Sequence, residues 1–167
     1  MPPTDLTLAE DLPKACQRVA HAARAAGMSI AIHVLEQSSR TAEEAAQACG
    51  TSVAQIVKSL VFQGKDSGKP ILLLVSGANR VKEGLVGRMI GEKIVRPDAD
   101  FVRRVTGFAI GGIPPLGHAE TLATYIDEDL LAHDRVWAAA GTPNSVFPVS
   151  PAELLKACDA NRIAVHD

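Results

Sequence analysis

The sequence predicts a single α/β or α+β domain built on a mixed sheet, on three observations. First, 167 residues, 47% of them apolar and 22% charged, suffice for one core without metal or disulfide staples. Second, short strand-like runs are interspersed with helical periods of several lengths. Third, hairpin signals add antiparallel pairs to whatever the helical crossovers make parallel.

The elements follow in order. Between Leu8 and Ala26 apolar residues fall at Leu8, Leu12, Ala15, Cys16, Val19, Ala23 and Ala26, a helical spacing stopped by Gly27; this N-terminal helix is expected over about residues 7–26. "SIAIHVLE" alternates Ile30, Ile32 and Val34 onto one side, as a strand does. Thr41 with Glu44 forms a capping box ahead of "AEEAAQACG", which Gly50 ends. Ser52 with Gln55 starts a short second turn of helix. "KSLVF" and "PILLLVSG" are strands joined by the turn-rich "QGKDSGK". Val81, Leu85, Val86, Met89 and Ile90 mark a helix begun by Asn79. "EKIV" is a short strand, and "PDADFVRRVTG" a helix entered at Pro97 and left at Gly107. A glycine- and proline-rich stretch, "GFAIGGIPPLGH", comes next; it fits neither helix nor regular sheet. "TLATYID" reads as a strand, with Asp127, Glu128 and Asp129 at a helix entry favoured by the dipole. "DRVWAAAG" and "SVFPVS" form a hairpin across Thr142, Pro143 and Asn144. "SPAELLKACD" is the last helix and "RIAVH" the last strand. No repeat, low-complexity tract or linker interrupts the chain.

Several function classes are disfavoured. The longest apolar run, Ile71–Val75, is far too short to span a bilayer. The acidic N-terminus "MPPTDLTLAED" lacks the basic and hydrophobic segments of a signal peptide, so a cytoplasmic protein without membrane contact is expected. Cys16, Cys49 and Cys158 have no metal-ligand spacing and read as small hydrophobes in a reducing compartment. No His/Cys/Asp cluster has zinc spacing and no Gly-x-Ser-x-Gly elbow occurs, so neither a metal nor any other cofactor is expected. A net charge of −2 argues against gripping DNA or any long nucleic acid. Charge is nevertheless uneven: residues 80–104 carry seven basic and four acidic residues, and residues 119–167 three basic and eight acidic. That asymmetry describes solvated helix faces, or a surface touching one short RNA end.

Chemistry has two candidate locations. Lys58, in "SVAQIVKSLVF", is the one charged residue between Glu44 and Lys65. It either snorkels its ammonium to the surface over an apolar stem or presents a poorly solvated cation at a pocket wall. The glycine loop is either a tight structural corner or a set of main-chain N–H donors that meets an anion without side chains in the way. It lacks the Gly-Lys-Ser/Thr ending of a Walker motif and does not open a helix. His33 reads as a sheet histidine; His118, just past Gly117, could face a pocket.

At these two places the chain resembles the YbaK/ProX (YbaK/EbsC) family of aminoacyl-tRNA deacylases, related to the editing domain of bacterial prolyl-tRNA synthetase. "GGIPPLG" after Thr106 and Gly107 is similar to the family's GxxxP loop, and "VAQIVKSLVF" to its lysine segment, in the same order along about residues 29–158. The resemblance implies a compact domain with a mixed, partly barrel-like sheet flanked by helices. It implies hydrolysis of the ester joining a wrong small amino acid to proline tRNA, alanine first and cysteine second. It implies the mischarged tRNA acceptor end as partner, with a prolyl-tRNA synthetase as a second. By position it implies a catalytic role for Lys58, Gly111 and Gly112, and substrate contacts for Ile113, Pro114 and Pro115; His118, Asn144 and Ser145 are further candidates for substrate contacts, read from their places beside the loop and in the hairpin turn. Three departures leave the amino acid open: Leu35 stands where the cysteine branch has tyrosine, Ser59 where the alanine branch has asparagine, and "GTPNSV" replaces a glycine-basic-glycine turn. The rival readings are a non-catalytic module binding a nucleotide or RNA end, and a hydrolase of small ester metabolites.

Overall fold

A computed structural model describes residues 4–6 and 12–167. The elements run β1 (Thr4–Leu6), α1 (Lys14–Ala25), β2 (Ile32–Val34), α2 (Ala42–Cys49), β3 (Val57–Gly64), β4 (Pro70–Ser76), α3 (Glu83–Ile90), β5 (Ile94–Val95), α4 (Ala99–Thr106), β6 (Ala123–Asp127), β7 (Val136–Ala139), β8 (Ser145–Val149), α5 (Pro151–Ala157) and β9 (Asn161–Ile163). Single 3-10 turns cover Val53–Gln55 and Glu128–Ala132. Residues 7–11, where the N-terminal helix is expected to begin, lie outside the described residues.

The strands form two sheets. One is antiparallel, in the order β1-β2-β8-β7; the other is mixed, in the order β5-β3-β4-β6-β9, with β4–β6 and β6–β9 parallel. The expected mixed α/β domain flanked by helices is what forms, with its strands divided between two sheets; among the described residues no barrel closes. The sheets meet through one parallel bridge, Ile56 to Trp137, and pack over a shared apolar layer instead of continuing one ladder.

Strand β4 explains why. Its period of two sends Leu72 and Leu74 into the layer shared with β7, β8, α1 and α4, while Ile71, Leu73 and Val75 enter a second cluster beneath α3. All five are 0–3% exposed, so the run is buried on both faces, as a central strand requires. Each such side chain contributes about 1.5–3 kcal/mol of transfer free energy. A third, smaller cluster joins Leu35, Ala46, Ile56, Trp137 and Val146 under α2.

Caps set most helix ends as the sequence indicates. Thr41 Oγ1 accepts from Glu44 N (3.1 Å), Asp98 from Phe101 N (2.8 Å), and the Ser52/Gln55 box is present. Helix α3 departs: it begins at Glu83 after Lys82, three residues later than an Asn79 cap implies. The Asn79 side chain is engaged elsewhere, as described below. Strands β2 and β9 are shorter than their apolar patterns, because only Ile32–Val34 and Asn161–Ile163 find ladder partners.

Candidate functional site

Lys58 is the second residue of β3, opposite Val75 of β4. The turn that follows β4 folds back onto the capped 3-10 turn preceding β3. Gly77 N donates to Ile56 O (2.7 Å) and Ser76 Oγ to Ala54 O (2.8 Å). A Cβ on Gly77 would lie 2.5 Å from Val53 O, so this approach needs glycine for space. The result places Asn79 O 2.5 Å from Lys58 Nζ, which donates to it.

Asn79 is itself clamped. Its Nδ2 donates to Asp127 Oδ2 and to Asp129 Oδ2, both at 2.8 Å. Asp127, only 1% exposed, also accepts from Ser76 N (3.1 Å) and Asp129 N (3.0 Å). His166 Nε2 reaches Asp129 Oδ2 at 2.9 Å. A buried carboxylate with this many donors is satisfied, and it fixes the turn that holds Lys58. Burial, and next the nearby Arg80 charge, push the Lys58 amine below the ordinary lysine range, while Glu43 and Asp127 oppose this.

The glycine loop approaches from the other side. Gly107 caps α4 with φ 78°, and Gly111 takes φ 104°, both left-handed values that favour glycine. Gly112 is required by space: its Cβ would meet the Thr142 backbone at 2.6 to 2.7 Å. Its N–H turns back to Ala109 O at 3.3 Å. Ile113 belongs to the main core and Pro114 and Pro115 are buried, leaving Gly111 as the exposed residue of the GxxxP segment. His118 Nε2 donates to Pro114 O at 2.7 Å, and Cys158 Sγ to Pro115 O at 3.3 Å. His118 thus braces the loop from behind, where burial holds its imidazole below the usual range.

Lys58 and Gly111 line one cavity of about 130 Å³, together with Arg40, Trp137, Thr142 and Ser145. Ser145 is buried, its Oγ 2.5 Å from Thr142 Oγ1. Thr142 Oγ1 in turn donates to Asn144 Oδ1 at 3.0 Å. Of the residues singled out in the sequence, Lys58, Gly111 and Ser145 therefore meet at the cavity. Gly112, Ile113, Pro114, Pro115, His118 and Asn144 do not line it; Asn144 Nδ2 instead donates to Leu35 O at 3.0 Å. The thiols stay apart from this chemistry: burial pushes Cys49 up to about 11 and Cys158 to about 12. Among the described residues no group of three or more His, Cys, Asp or Glu could hold a metal ion, and no helix is long and apolar enough to cross a membrane.

Sequence reasoning misses Arg40, Thr142, Asn79 and Asp127 as parts of the site. In sequence Thr142 reads only as a turn residue, and Asp127 only as a helix entry. Partners 48 residues apart leave no local signal; only the short polar interruption "SGAN" after an apolar strand hints at a turn with work for its side chains.

The molecule is thus a two-sheet α/β domain with a cation and a glycine loop lining one small cleft. A family model of the aminoacyl-tRNA editing domain matches residues 36–157. A Bacillus subtilis (strain 168) protein, YwhH, is 34% identical over 119 residues, covering 71% of this chain and 75% of its own. The chain belongs to the aminoacyl-tRNA editing-domain (YbaK) family. A protein of Enterococcus faecalis (strain ATCC 700802 / V583), EbsC, named as a candidate Cys-tRNA(Pro)/Cys-tRNA(Cys) deacylase, is 24% identical over 116 residues, 69% of this chain and 70% of its own. A crystal structure named as a candidate trans-editing enzyme for prolyl tRNA synthetase superposes with TM-score 0.88 at 44% identity, over 93% of this chain and 99% of that one.

Proposed function

We propose that the protein is a trans-editing deacylase that hydrolyses the ester of a small amino acid, alanine first and cysteine second, mischarged on proline tRNA. The observation that carries this reading is that Lys58 and Gly111 line one cavity of about 130 Å³, well below the ~300–1,000 Å³ of drug-sized pockets. A cleft of that size suits a small side chain. A synthetase selecting proline gains only ~1–3 kcal/mol per missing methylene against alanine, so a second sieve that destroys small products adds what binding alone lacks.

In the reaction, water adds to the ester carbonyl and the bond to the ribose oxygen breaks. The ribose oxygen takes up a proton and the free amino acid departs. Charge develops on the carbonyl oxygen, and a pre-placed main-chain donor such as Gly111 N–H stabilises it, an effect of about 2.7–4 kcal/mol where such donors have been removed. Lys58, anchored by Asn79 O, supplies a fixed positive charge for the carbonyl or the neighbouring phosphate; its role is electrostatic, not nucleophilic. Ser145 and Thr142 add hydroxyls to the cavity wall beside Lys58 and Arg40.

The test is a deacylation panel of proline tRNAs charged with alanine, cysteine, serine and proline. Release of the small amino acids by the wild type and loss of release in Lys58→Ala, with unchanged circular dichroism, supports the assignment. Tight RNA binding without release would make it a binding module, and equal turnover of free aminoacyl esters a metabolite hydrolase.

A further inference from the structure

Helix α1 carries Lys14, Arg18, His21 and Arg24 and no acidic residue. At 100° per residue these four fall on one side of the helix, and all are exposed, while Cys16, Val19 and Ala23 face the core. The four line an open groove of about 760 Å³ with Gly117 and His118, and among the described residues no acidic side chain lines it. In a chain of net charge −2, such an unneutralised face stands apart from the mixed surface around it.

The helix is also wired to the candidate site. Arg18 donates to Gly107 O at 2.7 Å and stacks 4.3 Å over the Phe108 ring, at the start of the glycine loop. The first turn of α1 abuts the β7–β8 turn, where a Cβ on Gly141 would lie 2.9 Å from Ala15 O, next in sequence to Thr142 of the cavity wall. From Lys14 to Arg24 the axis advances about 15 Å, the length of several nucleotide steps.

We propose that this face of α1 is the docking surface for the phosphate backbone of the tRNA acceptor stem, holding the duplex while its charged end enters the Lys58 cavity. The inference rests on the deacylase reading for the identity of the RNA. It favours α1 over residues 80–104, the other basic stretch, because that segment intersperses its cations with Glu83, Glu92, Asp98 and Asp100. In α1 there is no such cancellation. The contacts are to phosphates, so they set affinity and salt dependence without reading bases.

The experiment compares wild type with Lys14→Ala/Arg24→Ala; Arg18 is left in place because it braces the loop. Anisotropy of an uncharged, labelled acceptor-stem hairpin is followed across a salt series, alongside deacylation of full-length charged tRNA and of an aminoacyl-adenosine ester. The expected result is about tenfold weaker hairpin binding, with the log-log salt slope shallower by about 1.8. KM for charged tRNA rises in parallel while kcat and turnover of the short ester stay unchanged. A Lys65→Ala/Lys69→Ala control removes the same charge from the exposed β3–β4 turn and should leave binding intact. Unchanged hairpin affinity in the α1 variant, or an equal loss in the control, overturns the surface. So does a defect seen only when a synthetase is added, which would make α1 a protein-docking face. Failure of the wild type to release any amino acid overturns the deacylase reading alone, since the hairpin measurement needs no turnover.

Discussion

The Lys58 ammonium donates to the main-chain oxygen of Asn79, whose side-chain amide is gripped in turn by Asp127 and Asp129. A strand end, a turn and a 3-10 entry thereby fix one cation. Replacing Asn79 with leucine removes the clamp and leaves the buried Asp127 short of a donor, a loss of about 1–3 kcal/mol. The expected outcome is a lower urea midpoint together with a fall in kcat of about 10–100-fold and a smaller change in KM. A variant that melts earlier but keeps full kcat would show that the clamp serves the fold alone.

The Lys58 amine sits below the ordinary lysine range through burial first and Arg80 second. Deacylation that needs the ammonium should therefore decline on the alkaline side at a lower pH than an unperturbed lysine would give. Arg80→Ala removes a repelling charge and should move that limb to higher pH. Glu43→Gln removes an attracting one and should move it lower. Rate profiles corrected for spontaneous ester hydrolysis, or NMR titration of the lysine side chain, check both signs.

Two glycines should respond oppositely to alanine. Gly112→Ala drives a methyl into the Thr142 backbone, which no rotamer change relieves, and should cost about 1–3 kcal/mol and disturb the cavity wall. Gly84 lies within α3, where an added Cβ would find its nearest neighbour, the flexible Arg88 Nη1, at 3.8 Å. Gly84→Ala should gain about 0.5–1 kcal/mol. Paired denaturant melts read both.

Burial lowers the His118 pKa below the usual imidazole range, with its bond to Pro114 O opposing. Its folded pKa lies below its unfolded value near 6.5, so the unfolded chain binds more protons in that window. Stability should fall as pH drops through about 6.5 toward the folded pKa. His166 acts the other way: its side-chain bond to Asp129, with Asp167 O next, raises its pKa. Its contribution is present below about 6.5 and is lost as pH rises through the raised value. His118→Gln should flatten the acid loss and His166→Gln the loss at higher pH, as measured by thermal melts between pH 5 and 8.

Local pattern by itself determined much of the chain. The period-two run 71–75, the boxes at Thr41 and Ser52 and the glycine stop at Gly107 act over a few residues, so they read directly as β4, α2, the 3-10 turn and the end of α4. The motifs "VAQIVKSLVF" and "GGIPPLG" marked Lys58 and Gly111 by resemblance to a known family, since local pattern alone left a snorkelling lysine and a structural corner open. Only the tertiary structure decided that Asn79 serves Lys58 instead of capping α3, because its competitors for that amide lie 48 and 50 residues away in sequence. It likewise split the strands into two sheets, turned Ile113, Pro114 and Pro115 inward, and laid the basic side of α1 along the back of the loop. Side-chain preferences decay within a turn or two of backbone, whereas burial and hydrogen-bond competition are settled among groups that meet only after the chain has folded.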